Sequence, residues 1–108
     1  MDNIRKIAII GSPDTVLPFK SIGLDGYPVN NTVKAQSTLE EIISKGYGII
    51  YLEEAFAKEF YNRVLELNKL YKEVSVTIIP GGPKGAGNFT MEKVRAMVKK
   101  AIGLDIQK

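Results

Sequence analysis

The chain has 108 residues, 44% of them apolar and 25% charged, with a net charge of +3, which is the size and make-up of one domain with an ordinary core. It holds neither Cys nor His, which excludes disulfides, thiolate zinc sites and thiol nucleophiles and removes the commonest general base and metal ligand. The positive charge is spread from Arg5 to Lys108 among acids, unlike the one-sided basic face of a nucleic-acid binder, and no apolar run reaches the roughly 18 residues of a membrane span.

The first stretch, 1–6, leads into only a short apolar run. It lacks the h-region and cleavage site of a signal peptide, so a cytoplasmic location is expected. Ile7-Ala8-Ile9-Ile10 is the first strand. It is apolar throughout rather than alternating, the pattern of a strand covered on both faces in a parallel sheet. A helix follows over about 15–22, with Asp14 as N-cap, Pro18 in its first turn and Gly23 as its stop. The second strand, Tyr27-Pro28-Val29, is short, and Pro28 cannot donate to a ladder, which places it at a sheet edge.

The second helix ends near Lys45, ahead of Gly46. Two starts are open. Asn31 or Thr32 can cap it, and Ser37-Thr38-Leu39-Glu40 is also a capping box. Gly48-Ile49-Ile50-Tyr51-Leu52 is the third strand, again apolar throughout. A third helix is predicted over about 54–71, where Phe56, Phe60, Val64, Leu67 and Tyr71 recur as one apolar stripe. Such a stripe reads as core far more readily than as a cofactor wall.

Residues 74–79 are the fourth strand, and the loop 80–89 is long for a strand-to-helix connection. The last helix is predicted over about 91–102, burying Met91, Val94, Met97, Val98 and Ala101. Thr90 caps it, Phe89 staples onto Val94, Gly103 stops it and Leu104 folds back onto Val98. Residues 104–108 form a short tail. Strands alternating with helices, joined by right-handed crossovers, give a single α/β domain over 1–108. The expected architecture is a four-stranded parallel sheet flanked by helices, flavodoxin- or receiver-like, with strand order 2-1-3-4.

Ligands in such sheets bind beyond the carboxyl ends of the strands. Gly11-Ser12-Pro13-Asp14 has one of the three glycines of a dinucleotide fingerprint, and Pro13 removes an N–H from the place of a phosphate. In the loop from Pro80 to Phe89, Asn88 and Phe89 stand where a P-loop needs Lys and Ser or Thr, and Thr90 breaks the pattern of spaced glycines. That loop reads first as a segment whose glycines permit positive φ. Its second reading is an anion site at the last helix, with Lys84 assisting. The third strand ends in Leu52-Glu53-Glu54, with no Asp to accept a phosphoryl group as in a receiver domain. Glu53 and Glu54 fit a helix dipole better than an acid–base pair. No His stands ready to activate Ser12 or Thr15. The basic run Lys93, Arg95, Lys99 and Lys100 reads as a solvated helix face before a phosphate-tracking one. No catalytic, cofactor-binding or metal-ligating residue is therefore assigned, and the expected work of the chain is to bind a partner.

The same residues carry a resemblance. Ile7-Ala8-Ile9-Ile10-Gly11, Asp14-Thr15-Val16, Phe19 and Gly23 are followed by Leu39-Glu40-Glu41, Gly48-Ile49-Ile50-Tyr51-Leu52-Glu53-Glu54 and Ile79-Pro80-Gly81. The series closes with the run from Val94 to Asp105. In order and spacing this chain resembles the F subunits of the V-type and archaeal-type rotary ATPases over nearly its whole length. Ser12-Pro13, Pro18 and Gly81-Gly82-Pro83 depart from the family pattern and put only loop shapes in doubt.

The resemblance implies a rotor part without an active site of its own. It would bind the coiled coil of the D subunit on the central stalk and touch the catalytic A3B3 hexamer transiently. The complex would couple ATP hydrolysis or synthesis to H⁺ or Na⁺ transport, and this rotor part would have no cofactor, nucleic acid or direct membrane insertion. A firm docking contact of about 1,600 Å² is expected of such a part. The candidate contacts are the edge residues Tyr27, Pro28 and Val29, and the tail residues Leu104 and Ile106. Each taken singly reads equally well as an ordinary edge or tail residue. Two other classes stand beside this one: a receiver-like signalling or binding module that works unphosphorylated, and a small phosphoryl or nucleotide enzyme built on the glycine loop.

Overall fold

Four strands form the centre of the computed structural model, which describes residues 5–80 and 95, 96, 98 and 99. They are β1 (Lys6–Gly11), β2 (Asp25–Pro28), β3 (Tyr47–Glu53) and β4 (Ser75–Ile79). All pairings are parallel and the order is β2-β1-β3-β4. This is the α/β fold and strand order expected from the sequence. β1 and β3 lie inside the sheet because both of their faces are apolar: Ala8, Ile10, Ile50 and Leu52 enter one core, and Ile9 and Tyr51 enter the other. β2 takes the edge next to β1, ending at Pro28 as the missing N–H requires.

Helix α1 (Pro13–Ser21) covers the Ile9 and Tyr51 face through Val16 and Phe19, and Val98 packs on the same cluster. The opposite face is covered by α2 (Thr32–Ile42), the short α3 (Glu54–Ala57), a 3₁₀ turn (Lys58–Phe60) and α4 (Tyr61–Leu70). The crossovers thus put helices on both faces, so the central strands are shielded from water above and below.

Local details differ from the sequence reading for identifiable reasons. α1 begins two residues early, with Ser12 as N-cap and Pro13 in the first turn. Proline's fixed φ and missing N–H suit that place, so Asp14 falls inside the first turn instead of capping it. Pro18 then lies in the helix interior. Gly23 does stop the helix, at φ +104°. Its N–H donates to the Lys20 carbonyl (3.0 Å) and that of Leu24 to the Phe19 carbonyl (3.2 Å), a Schellman end. In α2 the Asn31 side chain accepts from the Lys34 N–H at 2.8 Å, which settles the start; Ser37 is interior. α2 ends at Ile42, and a turn carries the chain on to Gly46.

The third predicted helix is not continuous. The chain leaves helical geometry at Phe60 (φ −137°, ψ 38°) while keeping that ring buried, so α4 starts afresh. Tyr71, counted in the apolar stripe, comes after α4 ends, and its non-helical backbone carries it out to 38% exposure. Residues 91–94, 97 and 100–102 of the last predicted helix, its Thr90 cap, its Gly103 stop, the Phe89 and Leu104 contacts and the loop beyond Pro80 lie outside the described residues.

α2 and α4 are tied by a two-pronged ion pair. Arg63 donates through Nε to Glu40 (2.6 Å) and through Nη2 to its other oxygen (2.9 Å), and through Nη1 to Glu66 (3.0 Å). The hydrogen bond from Arg63 holds the Glu40 carboxyl below its ordinary value of 4.5. A depressed folded-state pKa stabilises the fold above the unfolded value, and that contribution disappears as the pH falls through the folded one. The melting-temperature gap between the wild type and Glu40→Gln should therefore be widest above about pH 4.5 and close in stronger acid. Thermal melts across that range test this, and a gap independent of pH would refute it.

Candidate functional site

The carboxyl end of the sheet is where this fold usually takes ligands. β3 brings Glu53 there, and the side chain is 1% exposed. Its Oε1 accepts the N–H of Ser12 at 2.8 Å, at the start of α1. Ser12 Oγ donates to Thr15 Oγ1 at 3.1 Å, and Thr15 is itself buried. Gly11 lets the two strands end this close: a Cβ there would stand 2.8 Å from Glu53 Oε1 and 3.3 Å from Glu53 Cβ. A helix start such as this is a natural anion site. Here the chain's own carboxyl group takes the N–H that a phosphate oxygen would use. Glu53 thus meets the start of α1 and makes no side-chain cap bond to its own α3, a placement the sequence did not specify.

The predicted edge residues occupy three different environments. Pro28 is exposed and Tyr27 is half-buried, but Val29 is only 4% exposed and belongs to the core beneath α2. The N–H of Val29 donates to the Gly11 carbonyl at 2.8 Å, which draws the chain inward directly after the strand. Val29 is thus placed as a packing residue, and the outward surface of this edge is formed by Pro28 and part of Tyr27. Leu104 and Ile106 lie outside the described residues.

Tyr27 also belongs to a polar chain that fastens β2. Its hydroxyl lies 2.6 Å from that of Tyr47, which donates to Asp25 Oδ2 at 2.7 Å. The two rings meet edge to face, at 89° and 6.3 Å. Lys6 Nζ lies 3.5 Å from the same Asp25 oxygen and 5.8 Å from the Tyr47 ring centre. Burial, and then the hydrogen bonds with Tyr27 and Asp25, push the Tyr47 hydroxyl far above its ordinary range, so it remains a proton donor. Side chains therefore link β2 to β3 across β1.

One apolar surface was not anticipated. Tyr61 is 50% and Leu65 44% exposed, one turn apart on α4. Beside Tyr61 is a cleft of about 300 Å³ lined by Glu54, Ala57, Lys58 and Ile78. The signal was present in the sequence. Tyr61 and Leu65 form a second i, i+4 pair, offset by one residue from the buried Phe60 and Val64.

Residues 7–98 match the family model for the ATP synthase (F/14-kDa) subunit. The chain belongs to that family. Among curated relatives, it is 35% identical to the F subunit of the V-type ATP synthase of Fusobacterium nucleatum, across 98% of this chain and 99% of the relative. It is 30% identical to the V-type F subunit of Clostridium perfringens, with the same coverage. The F subunit of the A-type ATP synthase of Methanosphaera stadtmanae is 29% identical, over 94% of this chain and 96% of the relative. The family match contains Glu53, Ser12 and the whole β2 edge and ends before Leu104 and Ile106.

In this family member, the approach of Glu53 to Gly11 makes a sharp prediction. Gly11→Ala would force the buried carboxyl group away from the Ser12 N–H. Overpacking of this kind should lower stability by about 1–3 kcal/mol. Urea unfolding measures it, and an unchanged midpoint would show that Glu53 moves aside freely.

Proposed function

We propose that this chain is a non-catalytic rotor component of a V/A-type ATPase. It binds the coiled coil of the D subunit in the central stalk, on the cytoplasmic side, and touches the A3B3 hexamer in passing. Through that coiled coil it helps couple ATP hydrolysis or synthesis to the transport of H⁺ or Na⁺ by other parts of the complex. The observation that carries this reading is the near end-to-end similarity to the F subunits of V-type and A-type ATP synthases. The crevice at Glu53 supports the non-catalytic part of it. The N–H at the head of α1 is already satisfied by a buried carboxyl group, which removes one donor from any phosphate that enters.

A part that turns with a shaft must hold its shape under load. The Tyr27–Tyr47–Asp25 chain and the Glu40–Arg63 pair both cross between elements, so they resist sliding of the edge strand and of α4. Pro28, Tyr27, Leu104 and Ile106 remain the proposed contacts with the coiled coil. Val29 supports the Tyr27–Pro28 edge from the core.

Co-purification with the coiled coil of a D subunit tests the proposal. Pro28→Asp and Ile106→Asp should each weaken binding by about tenfold or more, about 1.4 kcal/mol, with an unchanged far-UV spectrum. Val29→Asp should instead unfold the chain by burying a charge. No complex at micromolar concentrations would refute the proposal, as would tight ATP binding or turnover by the purified chain alone.

A further inference from the structure

The two edges of the sheet are finished differently. β2 carries Asp25 and Pro28, with Lys6 beside it on β1. A charge and a proline on an edge are ordinary protections against pairing with another chain. β4 has neither. From Val74 to Ile79 the sequence is Val-Ser-Val-Thr-Ile-Ile, uncharged, without Gly or Pro, and rich in β-branched residues. Such a segment on an open edge pairs readily with a copy of itself. Among the described residues β4 pairs only with β3, which leaves its outer side as the sheet edge.

One side chain occupies the middle of that edge. Asn68, half-buried on α4, accepts the N–H of Val76 at 2.8 Å and donates its amide to the Val76 carbonyl at 3.1 Å. In a strand the N–H and C=O of one residue point to the same side, so the groups of Val76 face away from β3. Val74 and Ile78, two positions away on either side, face the same way. The Val74 N–H is taken by the Tyr71 carbonyl at 3.2 Å. Asn68 thus supplies one donor and one acceptor, as a neighbouring strand would, at the central position that any added strand must use.

We propose that Asn68 guards β4 against pairing with the β4 of a second copy of this chain. Two copies meeting antiparallel about a two-fold axis would each use the Val76 groups that Asn68 now holds. The amide matches both needs at once. Leu or Lys at this position would leave the Val76 pair open, and Ala would do the same while keeping the helix.

Light scattering on the full chain at rising micromolar concentration tests this. The wild type should remain a monomer, and Asn68→Ala should shift to dimers or larger species. Adding Thr77→Lys, at an exposed position on the same strand, should return Asn68→Ala to the monomer by placing a charge on the edge. An Asn68→Ala chain that folds and stays monomeric would overturn the proposal. So would association that Thr77→Lys does not reverse, or a wild type that already pairs through β4. Loss of the native far-UV spectrum in Asn68→Ala would overturn it too, because Asn68 would then be a strut holding β4 in place.

Discussion

The contact between Glu53 and the Ser12 N–H joins the end of β3 to the beginning of α1 across Gly11. Its consequences reach in three directions. Glycine suits residue 11, since a Cβ there would press on the carboxyl group and on Glu53 Cβ. α1 must begin at once after Gly11, with Pro13 in its first turn, because the N–H facing Glu53 is that of its N-cap. The chain after β2 must close over the same place, and it does so through the Val29 N–H on the Gly11 carbonyl. A region that many α/β proteins keep open for a ligand is here a joint between three strand ends. A buried polar group is costly unless paired, so the joint holds only while Ser12 supplies the partner.

That joint moves the interest of the molecule from its crevice to its margins. At one margin, Tyr47 is buried with its hydroxyl between Tyr27 and Asp25, so the edge strand is fastened by side chains in addition to its ladder. At the other, an α4 side chain stands in for a strand. Only the second uses polar atoms where a larger sheet would have used another strand; the first ties the edge strand to β3 across β1. Within the α1-side core, Tyr51 keeps a buried hydroxyl that has no partner among the described residues, and burial raises its pKa. Phe19 packs against this ring at 5.8 Å.

The sequence showed the strands well because β1 and β3 are apolar on every residue of their central runs, a pattern that double-sided burial explains. Pro28 likewise announced an edge, and Gly23 a helix end whose Schellman bonds the structure contains. Features that depend on contacts between distant segments were less legible. Nothing local distinguishes Phe60 as a break in a helix, since its spacing from Phe56 and Val64 is regular. Val29 looks like an edge residue until the Gly11 carbonyl is known to capture its N–H. Glu53 beside Glu54 looks like a helix-start pair, and its burial follows only from where β1 ends. Asn68, inside an amphipathic helix, looks like one more solvated position. Its role is set by Val76, which only the sheet brings near it.

The finished edges also constrain how a partner can be held. Strand addition needs a run of free N–H and C=O groups. Pro28 has no N–H to offer on the outer side of β2, and the Val76 pair on β4 is taken by Asn68. These features disfavour strand addition at both margins and leave side-chain packing as the readier mode of contact. A coiled coil suits this condition, because its backbone groups are satisfied within its own helices and it presents only side chains. The exposed Tyr61 and Leu65, the cleft beside them and the outward face of Pro28 are surfaces of that kind. On the proposed reading, edges finished in this way leave a helical shaft to dock through side chains while Asn68 disfavours joining a second copy through β4.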